Sequence, residues 1–222
     1  MKIIKLVGRM LGILLFTILL FIIINVLVRI SEETIRNEEN QITELLNKEN
    51  SINCILKANK RIYKLGEKPD LFVQIVNKLD TSITLIGSLD GSAIGARFPI
   101  CQFSVKHKIL GNSLNSLFPS FYCATLNPTR IEDFQTISSN ESFNPYQKID
   151  DYGYFGADQL EGINFYFPGI YEITFYFLTD PNVIENGLGY DDHLIPTSLK
   201  VLWEEVPKLD LTSNTITIEY NF

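Results

Sequence analysis

The sequence predicts an all-β domain, built as a β-sandwich, carried on one amino-terminal transmembrane helix and a short helical stalk. Three stretches carry that expectation. Met10 to Val28 is an uncharged apolar run. From Ile52 onward, short segments of β-branched and aromatic residues alternate with Gly, Pro, Asn and Asp turn signals, with no helix-period segment among them. Leu160 to Leu178 (LEGINFYFPGIYEITFYFL) reads as two strands around a tight Pro168-Gly169 corner. After that corner Ile170, Glu172, Thr174 and Tyr176 alternate with Tyr171, Ile173, Phe175 and Phe177, the two-residue period of a strand with one buried face. A jelly roll or a barrel is the alternative arrangement of the same strands.

In chain order, residues 1–9 form a basic amino terminus with Lys2, Lys5 and Arg9. The run 10–28, at ~1.5 Å per residue, spans ~28 Å and matches the ~30 Å hydrocarbon core of a bilayer. Beyond Arg29 the chain turns acidic with Glu32, Glu33, Glu38 and Glu39, which places the amino terminus in the cytoplasm and the rest outside. A cleaved signal peptide is the competing reading; the exit Val26-Leu27-Val28-Arg29-Ile30 offers no small-residue cleavage site. Residues 29–51 read as a stalk or linker. It has no Gly or Pro, and Ser31 can cap a helix with Glu32 and Glu33 in its first turn. Ile35, Ile42, Leu45 and Leu46 cover only about two heptads, short of a coiled coil.

Residues 52–222 form the extracytoplasmic domain. Strands are expected at 52–56, 61–65, 71–76, 82–89, 97–105, 199–204 and 213–220, with Pro99 marking an edge or a bulge. Trp203, in the LKVLWE segment, is expected in the core as part of a strand. Residues 131–137 form a short element. Three long loops, 106–130, 138–158 and 179–198, hold the excess over a minimal sandwich.

The run Tyr63-Lys-Leu-Gly-Glu-Lys-Pro69, the strand Leu71–Asn77 and the later Phe167-Pro-Gly-Ile-Tyr-Glu-Ile-Thr174 resemble bacterial membrane-anchored immunoglobulin-like envelope domains. They also resemble the proteinase-inhibitor-type sandwich family known as BsuPI-like. The Pro-Gly turn with Tyr171 two residues on is similar to the tyrosine corner of immunoglobulin-like sandwiches. The resemblance implies an immunoglobulin-like β-sandwich and, through the second family, inhibition of an envelope proteinase. Its motifs belong to the scaffold and cover about half of residues 58–220.

Composition narrows the function classes. Of 222 residues, 45% are hydrophobic, enough for a real core, and the net charge of −7 with no basic-aromatic run argues against nucleic acid. Three cysteines outside the cytoplasm suggest a disulfide between Cys101 and Cys123, worth ~3 kcal/mol in the chain-entropy model, with Cys54 left over. The alternative is three reduced thiols packed as small hydrophobes. His107 and His193 are the only histidines, and no zinc-ligand spacing occurs. Asp150-Asp151 and Asp191-Asp192-His193 are acidic loop pairs without calcium-loop spacing. There is no nucleophile elbow and no phosphate loop, so neither catalysis nor a cofactor is expected; a hydrolase built on Asp191 and His193 is the remotest reading. The aromatic loop with Tyr146, Tyr152, Tyr154 and Phe155 is the candidate contact surface, for a protein or a glycan. Its other reading is a lid folded over one end of the sandwich. The function expected is therefore an anchored binding or scaffolding module of the bacterial envelope.

Overall fold

The computed structural model describes residues 2–87, 89, 97–111, 113–115, 128–146, 160, 163–179, 188 and 195–222. The chain divides into two compact units, residues 1–41 and 42–222.

Helix α1 runs unbroken from Lys2 to Asn47 and is long and apolar enough to cross a membrane. Ile13, Phe16, Phe21 and Ile24 are all half or more exposed, so this face is stable only in an apolar medium or against a partner. The two polar side chains of the run are satisfied locally: Thr17 Oγ1 donates to Leu14 O and Asn25 Nδ2 to Phe21 O, each at 2.8 Å. A helix crossing lipid needs that internal bookkeeping of donors. Ser31 does not start a second helix; without Gly or Pro nearby, helix propagation continues through it to Asn47.

The second unit is mostly strands: β1 (Ile52–Ala58), β2 (Ile62–Lys64), β3 (Leu71–Asn77), β4 (Ile83–Ile86), β5 (Ile100–His107), β6 (Ser113–Asn115), β7 (Phe134–Ile137), β8 (Ser142–Phe143), β9 (Gly169–Leu178), β10 (Asp210–Thr212) and β11 (Ile216–Asn221). They form a small sheet β1-β3-β8, a larger sheet β2-β11-β9-β5-β6 with β10 also on β9, and the ladder β4-β7. Inward residues of the two main sheets share one core. Leu56, Val73 and Ile75 come from the first, and Phe103, Val105, Ile173, Phe175, Phe177 and Ile218 from the second. The Asn214 side chain bridges the layers: Oδ1 accepts from Leu56 N and Nδ2 donates to Leu56 O, both at 2.9 Å. Asn77, fully buried, ties β3 to the β4-β7 ladder by donating to Thr81 O at 2.8 Å and Ile137 O at 3.1 Å.

β9 is the organising strand. It pairs with the whole of β5 through Tyr171–Leu178, and along its other edge with β11 and then β10. The expected alternation holds: Tyr171, Ile173, Phe175 and Phe177 are buried while Tyr176 is exposed. The expected hairpin partner before the corner is not there. Residues 163–166 alternate in burial, Ile163 and Phe165 inward, yet form no ladder. Hydrophobic alternation reports which face is wet, and it is silent about who donates the hydrogen bonds.

Two further expectations are corrected. Residues 197–205 form a helix, α2 (Thr197–Glu205), in place of the strand expected at 199–204. Leu199, Leu202, Trp203 and Val206 follow i, i+3, i+4, i+7 spacing, and Leu199 and Val206 are the buried pair. Trp203 is half-buried and stacks on Phe98 at 5.0 Å and 17°. The strand expected from residue 97 begins at Ile100, so Pro99 lies just ahead of β5; the first residues of β5 pair with β9, and β6 joins from Ser104.

A satellite core of Ile86, Phe98, Leu188 and Val206 packs with Trp203 and Phe134. Beside it Arg97, 1% exposed, donates from Nη2 to Asp133 Oδ2 at 2.7 Å and from Nε to Thr129 Oγ1 at 2.8 Å. Asp133 also caps the 3-10 turn Ile131–Asp133 by accepting from Arg130 N.

Candidate functional site

The best-built exposed surface lies where β5 ends and β9 begins. The chain leaves β5 at His107 and turns through residues 108–111; Gly111 N donates to His107 O at 2.9 Å, with Gly111 at φ +67. Lys108 N donates to Ile170 O at 2.8 Å, which locks the turn to β9. His107, 6% exposed, is the hub. Its Nδ1 accepts from Ile109 N and Leu110 N, at 3.3 and 3.2 Å. The ring proton therefore sits on Nε2, which faces Pro168 O at 3.3 Å. The ring meets Tyr171 edge-on at 4.6 Å.

Gly169 allows this approach. Its φ is +140, and a Cβ there would lie 2.7 Å from His107 Nε2. Tyr171 completes the support by donating its hydroxyl to Phe167 O at 2.8 Å. Burial pushes the Tyr171 phenol above its ordinary pKa, so the hydroxyl stays a donor at neutral pH. Below it, Phe165 stacks on Tyr220 at 4.5 Å and Tyr63 on Tyr220 at 5.6 Å.

On this rigid base stand Ile109 (82% exposed), Leu110, Tyr166 (71%) and Phe167 (60%). Lys108 and Glu172 form a wet ion pair at their side, 3.7 Å apart. Four large apolar side chains on two segments joined through one buried histidine make a surface that is costly to leave in water.

The rim lies at the end of the sheets away from Ile52. Asn59, just past β1, accepts from Tyr63 Oη at 2.6 Å; Tyr63 pairs in register with Tyr220, and Tyr220 with Gly169. The Ala58 end of β1 is thus level with the rim. At the Ile52 end lies a polar recess of about 520 Å³ lined by Glu49, Lys78, Asp80 and Asn140, among others. It mixes both signs of charge, and Lys78 Nζ donates to Asn140 Oδ1 at 3.3 Å.

Of the aromatic-loop candidates, Tyr146 is among the described residues; it is half-buried and packs against Phe103 and Phe175, 6.1 Å from each ring. Tyr152, Tyr154 and Phe155 lie outside the described residues, as do Asp150, Asp151, Asp191, Asp192 and His193. Cys101 is a buried free thiol, as is Cys54; Cys123, the expected partner of Cys101, also lies outside the described residues. Among the described residues, no group of three or more His, Cys, Asp or Glu is placed to hold a metal ion.

Sequence reasoning missed Ile109, Leu110, Tyr166 and Phe167. A signal was present: in Asn164-Phe165-Tyr166-Phe167 both faces of the alternation are aromatic, so one set had to point outward. No family model, no curated protein and no solved structure matches the chain.

Proposed function

We propose that this protein is a membrane-anchored binding module of the bacterial envelope. α1 is its transmembrane anchor, with the amino terminus cytoplasmic, and its strand-rich unit is an immunoglobulin-like β-sandwich outside the cytoplasm. One observation carries the reading: Ile109, Leu110, Tyr166 and Phe167 form an exposed apolar rim on a hydrogen-bonded base, at the end of the sheets away from Ile52. Large apolar and aromatic side chains of that kind anchor protein interfaces. The occupant proposed is a protein with an apolar pocket or groove; no bond chemistry is involved, and no cofactor is required.

The test is retention of partners by the tagged full-length protein in detergent extracts of its own membranes, compared with a Tyr166→Ser/Phe167→Ser variant. Both residues are exposed, so stability should change by less than about 0.5 kcal/mol while partner retention is lost. Equal retention by both proteins would reject the rim. The anchored orientation is checked separately: a carboxy-terminal tag should be degraded by protease added to spheroplasts, and a protected tag would reverse the topology.

Inhibition of an envelope proteinase, implied by the BsuPI-like resemblance, is a narrower form of the same reading, in which the partner is a protease. A purified protein inert toward a protease panel while still retaining its partner would exclude it. A glycan partner would show as binding that survives protease treatment of the extract.

A further inference from the structure

Two of the three cysteines, Cys54 and Cys101, lie at one level of the shared core. The registers, with side-chain bonds at Leu56 and at the end of β1, fix that level. Cys101 on β5 pairs with Phe177 on β9, and Phe177 pairs with Leu211 on β10, so these three residues form one row of the larger sheet. The neighbouring inward row is Phe103 and Phe175, whose N–H donates to Ser213 Oγ at 2.9 Å. The side chain of Asn214, next to Ser213, clasps the backbone of Leu56, which sets Leu56 on β1 level with the Phe175 row.

The Ala58 end of β1 points to the Tyr220 and Gly169 row, on the far side of Phe175 from Phe177. The next inward residue back along β1 from Leu56, one row in the opposite direction, is Cys54, level with the row of Phe177 and Cys101. Both thiols are almost fully buried, at 1% and 4% exposure, and both belong to the same core. The charge of a Cys54 thiolate would further raise the Cys101 pKa, as expected for close neighbours.

From this geometry we infer that Cys54 and Cys101 are the native disulfide pair, an inter-sheet cross-link closed while the chain folds, and that Cys123 is the unpaired cysteine. Sheets packed face to face lie ~10 Å apart and a disulfide requires Cα atoms within ~7 Å, so closure draws β1 and β5 together at this row. The oxidant is a disulfide, either of a protein or of a small thiol. A thiolate from Cys54 or Cys101 attacks it and releases one reduced thiol; the other cysteine, as thiolate, displaces the second from the mixed disulfide. Two protein thiols become one disulfide, the oxidant disulfide becomes two thiols, and the two electrons pass to it.

Timing follows from burial. In the closed core the Cys54 thiol is pushed up to about 12 and Cys101 well above its ordinary value, so neither forms a thiolate or meets an oxidant. Exchange belongs to the chain before its sheets close. The pairing rests on the fold alone; its occurrence in the cell rests on the outward placement proposed above.

The three cysteines fall on separate tryptic peptides, 49–57, 98–106 and 109–130. The full-length protein in detergent is reduced and unfolded, refolded in mixed reduced and oxidised glutathione, trapped with N-ethylmaleimide and mapped by mass. The expected product joins 49–57 to 98–106 with Cys123 alkylated. Alkylation of both Cys54 and Cys101, or a link from 98–106 to 109–130, overturns the inference.

Protein alkylated directly in membranes gives the second readout and needs no refolding. The same cross-link there supports the inference; a link from 98–106 to 109–130 there also overturns it. Free thiols there beside a cross-link after refolding support the pairing and count against the outward placement. A Cys123→Ala variant should keep the bridge, and its thermal midpoint should fall on reduction by roughly 5–15 °C.

Discussion

The main core and the satellite core solve the same burial problem with different materials. The main core is two sheets of alternating strands whose inward residues, such as Phe103, Phe175 and Ile218, form one apolar cluster. The satellite core packs the strand residues Ile86 and Phe134 and the segment Phe98 against the helix α2, and is bordered by the buried Arg97 with Asp133 and Thr129. The first gains most of its stability from apolar area, with Asn214 tying its two layers. The second also depends on a charge pair, which helps little when intact and costs much when broken.

Substitutions can break that comparison at either end. Phe175→Ala, at a fully buried site, should cost about 3–5 kcal/mol in denaturant unfolding, and a loss under 1 kcal/mol would mean the sheets do not share the core described. Arg97→Ala should cost nearly as much, about 3–5 kcal/mol, because Asp133 is left without its cation. Replacing both partners, as in Arg97→Met with Asp133→Leu, should recover much of that loss, since apolar substitutes often do as well as a buried pair. If the double variant is no better than Arg97→Ala, the charge pair is not what the satellite core depends on.

A smaller effect is expected at the seam between the two sheets. Asn214→Ala removes both bonds to the Leu56 backbone and should cost about 2–3 kcal/mol, with faster hydrogen exchange at Leu56. The smallest lies at the rim support: Tyr171→Phe removes one hydroxyl bond to Phe167 and should cost about 1 kcal/mol. Trp203, the single tryptophan, reports the satellite core by fluorescence. Its emission should shift with Arg97→Ala and stay unchanged with Tyr171→Phe.

Alkaline pH separates the cores without a mutation. Burial raises the Cys54 thiol to about 12 in the folded protein against 9.0 when unfolded, and raises Tyr220 as well. A folded pKa above the unfolded one means stability is complete below pH 9 and falls as pH climbs from there through about 12. The denaturation midpoint should therefore be flat from pH 7 to 9 and decline above it. A bridged Cys54 has no thiol to titrate, so the oxidised protein should lack the thiol part of that decline.

The same division separates what was legible in the sequence from what was not. β3, β4, β9 and β11 were readable because their two-residue alternation is imposed by the main core, and Ile216, Ile218 and Tyr220 turn inward as the pattern requires. α2 was misread as a strand because LKVLWE is too short for periodicity to decide, and the deciding residue, Val206, lies beyond it. β10 and β6, three residues each, left no pattern to read. Arg97 looked like the start of a strand; no local feature announces that a cation will be buried against a residue 36 positions away. The rim was missed for a related reason. The segment bearing Tyr166 and Phe167 and that bearing Ile109 and Leu110 are joined through His107 and the Lys108–Ile170 bond, long-range links that no spacing rule detects.

The proposed partner site is the rim, in preference to the other exposed apolar residues among those described. It is tested most directly by placing a photo-crosslinking amino acid at Phe167 and, separately, at Val201, which is similarly exposed at 55% on α2. Irradiation of intact cells should yield a discrete crosslinked protein from position 167 and none from position 201. Crosslinks of equal yield from both positions, or from position 201 alone, would contradict the claim.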